Sequence, residues 1–268
     1  MLTLDDSNER ATLLKSEKWT RIEVRRLGGL DTVIRKIYRT PSRLRWRTFL
    51  LPSRARREFH ALKAAFDAGL PCVKPISFLE TRRFGCVASS EVVSSYVPGR
   101  SLKAVLAAGL PARPRRKTCV QLGELLRRLH ESGILWMSAM PRNIILCESG
   151  LEAMVACDFP YGLSFRKSIV DRKHALVDLY SMGFSKSRLE DFSESDRRAF
   201  LIAYCRGNRA SCRSLWTTLT ARTKCRQTIA TTIMHSGAGV LIPAASKLAS
   251  IFTRRRIVSA GEPTSNTR

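Results

Sequence analysis

Four side chains in this sequence have types and spacings that could perform chemistry together: Lys36, Glu58, Asn143 and Asp158. Lys36 lies near the end of an apolar, strand-like stretch, and Glu58 lies on the next predicted helix. Asn143 and Asp158 stand beside two short apolar runs that read as strands. A strand lysine and a helix glutamate can pair to hold a triphosphate, and Asn and Asp oxygens can share Mg²⁺. These residues therefore predict a site for a triphosphate and Mg²⁺.

Each of the four residues also has an ordinary structural interpretation. Lys36 taken alone is typical of a solvated strand lysine, and Glu58 of an exposed helix residue among arginines. Asn143 and Asp158 could be turn residues that bond local backbone groups. The order of the four along the chain favours a common site.

The elements that would position these residues follow from periodicity and turn signals. Residues 19–24 alternate between apolar and polar side chains, and residues 32–38 predict a second strand. A turn at the glycine pair 28–29 would join the two strands as a hairpin. Apolar residues at spacings of three and four predict an amphipathic helix between Ser53 and Gly69. Strands near 74–80 and 85–96 follow. Beyond Pro98 the pattern becomes helical, in four segments: 101–108, 115–132, 171–183 and 193–206.

This succession of strands and then helices predicts an α+β fold with two lobes. The predicted regions are a polar lead-in (1–18), a small β-rich N-lobe (19–97), a larger helical C-lobe (98–206) and a basic C-terminal extension (207–268).

Composition restricts the class of protein. The 268 residues are 44% hydrophobic, which excludes a disordered or fibrous chain, and the formal net charge is +25. Such a charge attracts nucleic acid, an anionic membrane surface or phosphate-rich molecules. The arginine runs, including the run at 54–57, are interpreted as solvated faces.

Cysteine use and the chain ends predict a cytoplasmic location. The eight cysteines form no CxxC pair, which favours scattered reduced thiols. The N-terminal residues lack the apolar run of a signal peptide. The most apolar stretch, 228–252, is interrupted by His, Pro and Lys and is poor for a membrane span.

Several short motifs together resemble those of the bacterial lipopolysaccharide kinases, which phosphorylate Kdo or heptose sugars and have a protein-kinase-like fold. In chain order they are VIRKIYR (33–39), RARREF (54–59), AGLP (68–71), YVPG (96–99) and LHESG (129–133). The resemblance implies that Lys36 and Glu58 bind ATP and that Asn143 and Asp158 bind Mg²⁺. It also implies that Asp178 steadies the catalytic loop.

The catalytic loop departs from the kinase pattern H-R-D-L-x-x-x-N. The residues at the His and Asp positions are Trp136 and Ser138, while Asn143 is retained. A serine hydroxyl cannot accept a proton at neutral pH as a carboxylate does, and a general base contributes about 10²–10⁴-fold in rate. Ordinary turnover is therefore in doubt. Asp158 is followed by Phe-Pro instead of the Phe-Gly of kinases. The glycine-rich loop that covers the phosphates in kinases is reduced to the glycine pair 28–29.

Three functions are compatible with these observations. The first is ATP-dependent phosphoryl transfer to a sugar hydroxyl of an acidic, lipid-linked glycan at the inner face of the cell membrane. The second is a pseudokinase with a regulatory or scaffolding role, suggested by Trp136 and Ser138. The third, a basic nucleic-acid-binding protein, is disfavoured because the sequence has no zinc finger, no RNP motif and no evident stacking aromatics.

Overall fold

An antiparallel sheet forms the N-terminal part of the computed structural model, which describes residues 11–27, 31–49, 51–148, 154–185 and 191–221. Its five strands are β1 (Thr12–Glu17), β2 (Thr20–Leu27), β3 (Asp31–Arg39), β4 (Pro75–Arg83) and β5 (Cys86–Ser95). Their order in the sheet is β1-β2-β3-β5-β4. The glycine pair 28–29 and residues 222–268 lie outside the described residues.

The first strand was not predicted. β1 lies in the stretch assigned to a polar lead-in, and all six of its residues are exposed. A strand that is exposed on both faces has no apolar alternation, so periodicity cannot reveal it. The predicted hairpin is confirmed, since β2 pairs with β3 from Thr20↔Tyr38 to Leu27↔Asp31.

The helix that carries Glu58 is α1 (Arg54–Asp67), which begins and ends where the sequence predicts. The Ser53 hydroxyl accepts a hydrogen bond from Arg56 N at 3.0 Å and so caps the first turn. The apolar face of α1 buries Ala55, Leu62 and other side chains, and Glu58 lies on this buried face. The helix therefore directs a carboxylate into the interior.

The remainder of the chain is mainly helical. Its helices are α2 (Leu102–Ala107), α3 (Ala112–Glu131), α4 (Ala175–Leu179), α5 (Glu194–Tyr204) and α6 (Arg209–Thr220). Short strands lie between them: β6 (Gly99–Ser101), β7 (Ile134–Leu135), β8 (Ile144–Cys147), β9 (Met154–Ala156) and β10 (Leu163–Ser164). The helix predicted at 171–183 begins later than expected, because residues 171–174 form turns. α4 starts at Ala175 and continues as a π-helical turn at Tyr180–Phe184.

The two parts of the fold meet beside the predicted site. Ala156 N donates to Pro71 O at 2.9 Å, and Val73 N donates to Ala156 O at 3.0 Å, which joins β9 to the chain that follows α1. The predicted α+β arrangement of a β-rich part and a helical part is confirmed. Within the described ranges, no helix has the length and apolar character that crossing a membrane requires.

Close packing of α3 on α5 depends on Gly123. A Cβ at this position would overlap the Phe200 carbonyl oxygen and would lie 2.9 Å from the Ala203 Cβ. We expect Gly123→Ala to lower the free energy of unfolding by about 1–3 kcal/mol, because the helices must move apart. Denaturant titration measures this loss. Gly183→Ala is the control, since its Cβ would meet only Arg197 Cγ at 3.7 Å; equal losses in both variants would contradict the packing argument.

Candidate active site

A buried lysine joins three segments of the chain. Lys36 on β3 places its Nζ 2.7 Å from Glu58 Oε1 on α1 and 2.9 Å from Asp158 Oδ1, which follows β9. The Lys36 side chain is 13% exposed and that of Glu58 1%. The structure thus brings together three of the four residues that the sequence singles out.

The surroundings of Lys36 keep its ammonium charged. Burial lowers the pKa of Lys36, but the charges of Glu58, Tyr38 and Asp158 outweigh it and hold this pKa well above its usual value. The Tyr38 hydroxyl donates to Glu58 Oε2 at 2.5 Å and so occupies the second carboxylate oxygen. The sequence analysis assigned no role to Tyr38. Its position two residues after Lys36, on the same face of the strand, could have suggested that it lies beside Lys36.

Asp158 is the more accessible carboxylate of the group, with a side chain that is 32% exposed. Burial raises its pKa, but the charge and hydrogen bond of Lys36 outweigh this effect, and Arg54 and Arg142 add to it. The pKa of Asp158 is therefore lower than that of an ordinary aspartate. The residue has φ +65°, in the left-handed region, so the backbone turns sharply at this carboxylate.

Asn143 lies next to Asp158 because their strands are paired. Ile144 on β8 is opposite Ala156 on β9, and Cys157 N donates to Asn143 O at 2.9 Å. The Asn143 amide donates from Nδ2 to Ser138 O at 2.8 Å, which leaves the amide oxygen as a potential ligand. Sequence analysis placed both residues at adjacent strand ends, and the structure agrees.

The oxygen donors of this region fit Mg²⁺. Among the described residues, no group of three or more His, Cys, Asp or Glu side chains could hold a metal alone. Mg²⁺ does not need such a group, since it commonly takes one or two protein oxygens, with phosphates and water completing its octahedron. The Asn143 and Asp158 oxygens could supply that share.

Ser138, predicted at the position of the catalytic aspartate, is buried and turned inward. Its hydroxyl donates a hydrogen bond to the Asp158 carbonyl oxygen. Trp136 Nε1 donates to the same oxygen at 2.9 Å, and its indole stacks on Phe159 with ring centroids 4.8 Å apart. The role of Trp136 as a donor was not predicted from the sequence. The two replaced residues therefore hold the Asp158 segment in place.

The buried carboxylate of Asp178 anchors the predicted catalytic loop. Asp178 accepts from Trp136 N at 2.7 Å and from Met137 N at 2.6 Å, and His130 Nε2 lies 3.1 Å from its Oδ2. The His130 Nδ1 lies 2.8 Å from the Tyr204 hydroxyl. The loop conformation, with Met137 at φ +60°, depends on these bonds. This contact pattern matches the steadying role expected for Asp178.

The arginine run at 54–57 differs from its predicted solvated face. Arg56 is exposed, but Arg54 and Arg57 are partly buried. The Arg54 guanidinium lies 4.6 Å from the Tyr38 ring centroid and 5.0 Å from that of Tyr161. Charge composition alone could not separate these arginines from surface ones.

A β-rich part and a helical part that enclose such a lysine–carboxylate group define a kinase-like protein. A family model described as the lipopolysaccharide kinase (Kdo/WaaP) family matches residues 4–204, and the chain belongs to this family. A solved structure of WaaP in complex with acyl carrier protein has a similar fold, with a TM-score of 0.58 at 14% identity. The match covers 85% of this chain and 89% of that one. A comparison with curated proteins finds no match.

The burial of Glu58 predicts what happens when Lys36 is removed. We expect Lys36→Met to lower the free energy of unfolding by about 3–5 kcal/mol, because a buried carboxylate loses its cation. Adding Glu58→Gln should restore part of this loss, as a denaturant titration of both variants would measure. Lys63→Met is the control, since Lys63 pairs with Asp67 at the surface and should change stability by less than about 1 kcal/mol. Equal effects in all three variants would contradict the pairing argument.

Proposed function

We propose that this chain binds Mg-ATP between the sheet and the helical part and transfers the γ-phosphate to a sugar hydroxyl of a lipid-linked glycan. One observation carries the proposal: the Lys36 ammonium is held at 2.7 Å from Glu58 and 2.9 Å from Asp158. This arrangement presents a fixed positive charge beside an accessible carboxylate. A triphosphate with its metal needs both features.

The proposed roles follow from these positions. Lys36 binds the α- and β-phosphates, and Glu58 orients it with help from Tyr38. The oxygens of Asn143 and Asp158 hold Mg²⁺, which would neutralise phosphate charge. Because Asp158 has a depressed pKa, its carboxylate is ionised at neutral pH and available as a ligand.

Position 138 supplies no carboxylate that could act as a general base for the acceptor hydroxyl. Ser138 donates its only proton to the Asp158 carbonyl and carries no carboxylate. Much of phosphoryl transfer rests on positioning and charge stabilisation, so transfer without a protein base is slow and not forbidden. The same observation supports a second candidate function, a pseudokinase that binds nucleotide and acts as a regulator or scaffold.

The charge of the chain supports an acidic acceptor at a membrane face. A net charge of +25 attracts phosphorylated glycolipids and the anionic inner leaflet. We therefore propose that the protein works in the cytoplasm, at the inner surface of the cell membrane.

Binding of Mg-ATP tests the nucleotide site. We expect saturating Mg-ATP to raise the melting temperature by several degrees, because a ligand that binds only the folded state stabilises it. Asp158→Ala should weaken Mg-ATP binding by at least about tenfold, since a charge-assisted interaction is lost. Asp171→Ala, at an exposed aspartate, is the control with the same change of charge. A wild-type protein that neither binds Mg-ATP nor melts higher with it would refute the proposal.

Restoring the loop separates a slow kinase from a pseudokinase. We expect Trp136→His with Ser138→Asp to raise phosphotransfer to a Kdo- or heptose-containing acceptor by about 10²-fold or more, because a base is supplied. The control pairs Trp136→His with Ser138→Asn, which has the same size and no carboxylate. Transfer that is absent in the wild type and in both variants, with Mg-ATP still bound, would favour the pseudokinase.

A further inference from the structure

Helix α1 begins with an unusual concentration of positive charge. Its first turn contains Arg54, Arg56 and Arg57 and no acidic residue. The N-terminus of a helix already carries partial positive charge, so cations there cost free energy. Such a cost calls for a compensating contact.

Arg54 and Arg57 form no salt bridge with an acidic side chain of the described residues. The Nε atoms of Arg54 and Arg57 are buried and have no hydrogen-bond partner in the described part of the chain. Burial lowers the pKa of Arg57. Tyr161 opposes this effect, and the charge of Arg54 adds to it. A buried donor without a partner costs free energy. Unpaired groups of this kind in a native fold need an explanation.

Aromatic rings hold both guanidinium groups in place. Arg54 lies over the rings of Tyr38 and Tyr161, and Arg57 lies 5.9 Å from the Tyr161 ring centroid. A guanidinium that stacks through its face keeps its in-plane N–H donors for another partner. Tyr161 is 37% exposed, so this cluster reaches solvent.

Asp158 does not neutralise the arginine cluster. Arg54 and, more weakly, Arg142 lower the pKa of Asp158. Asp158 is already paired with Lys36 at 2.9 Å. The region beside Asp158 therefore has more cations than anions.

We propose that Arg54 and Arg57, held by Tyr161, bind a phosphate or carboxylate group that belongs to the acceptor. This inference rests on the proposed function, because it assigns the acidic group of that acceptor to a place beside the nucleotide site. The planar fork of an arginine matches both anions with two parallel hydrogen bonds. Two stacked arginines select an acidic sugar over a neutral one.

The test uses the full chain without nucleotide, at constant ionic strength. Isothermal titration compares four probes: inorganic phosphate, glucose 6-phosphate, the sugar acid Kdo, and glucose. We expect binding of the anionic probes and none of glucose. Preference for phosphate or for carboxylate among the anions identifies which group the site takes. Equal binding of glucose would overturn the proposal.

Variants of α1 provide the matched comparison. We expect Arg54→Gln and Arg57→Gln to weaken binding by about tenfold or more, since charge-assisted hydrogen bonds are lost. Arg56→Gln removes the same charge from the same turn at an exposed position and should change binding by less than about twofold. If Arg56→Gln weakens binding as much as the others, the anions respond to net charge alone and the proposal fails.

Two further measurements separate this proposal from the nucleotide site. Displacement of the anionic probe by Mg-ADP would show that the probe occupies the nucleotide phosphate position, and would overturn the proposal. Anion binding that persists in a protein unable to bind Mg-ATP would refute the proposed function alone. Arg57→Lys keeps the charge and loses the fork, so weaker binding by this folded variant supports the site even if Arg57→Gln does not fold.

Discussion

The ion pair between Lys36 and Glu58 is the interaction on which the rest of the structure depends. It brings a central strand, the first helix and the segment after β9 to one point, where a third partner, Asp158, completes the group. Burying an ammonium and a carboxylate is costly unless each is fully paired. Tyr38 meets this requirement by bonding the remaining oxygen of Glu58. The sheet and the helical part are therefore coupled through charge, and the coupling lies where a triphosphate would bind.

The altered catalytic loop shows how a fold keeps its shape when its usual residues are replaced. Asp178 still holds the backbone at Trp136 and Met137, and the new side chains at 136 and 138 both donate to the Asp158 carbonyl. Hydrogen bonds thus organise the loop although position 138 has no carboxylate. Structural order of the loop and proton transfer are separate requirements, and the loop is ordered here without a carboxylate at position 138.

The sequence predicted elements whose pattern reflects burial. The amphipathic spacing and the Ser53 cap located α1 closely, and apolar runs placed Asn143 and Asp158 at neighbouring strand ends. β1 was not predicted because a strand exposed on both faces has no alternation of apolar and polar residues. Two other features were not predicted: the contact between Lys36 and Asp158, and the hydrogen bond that Trp136 donates. Lys36 and Asp158 lie far apart in the chain, and the Trp136 side chain bonds a backbone carbonyl; local composition encodes neither contact.

The stacking of Phe159 on Trp136 has a consequence for inhibitors. In kinases the phenylalanine after the metal-binding aspartate can leave its pocket, and its packing separates active from inactive forms. Here Phe159 is fully buried against the indole, and the preceding carbonyl receives two hydrogen bonds. Expelling the ring would break all three contacts, and Pro160 stiffens the chain that would have to turn. Compounds that require the expelled ring would bind this protein poorly, and compounds that fill the closed cleft would be the better starting point.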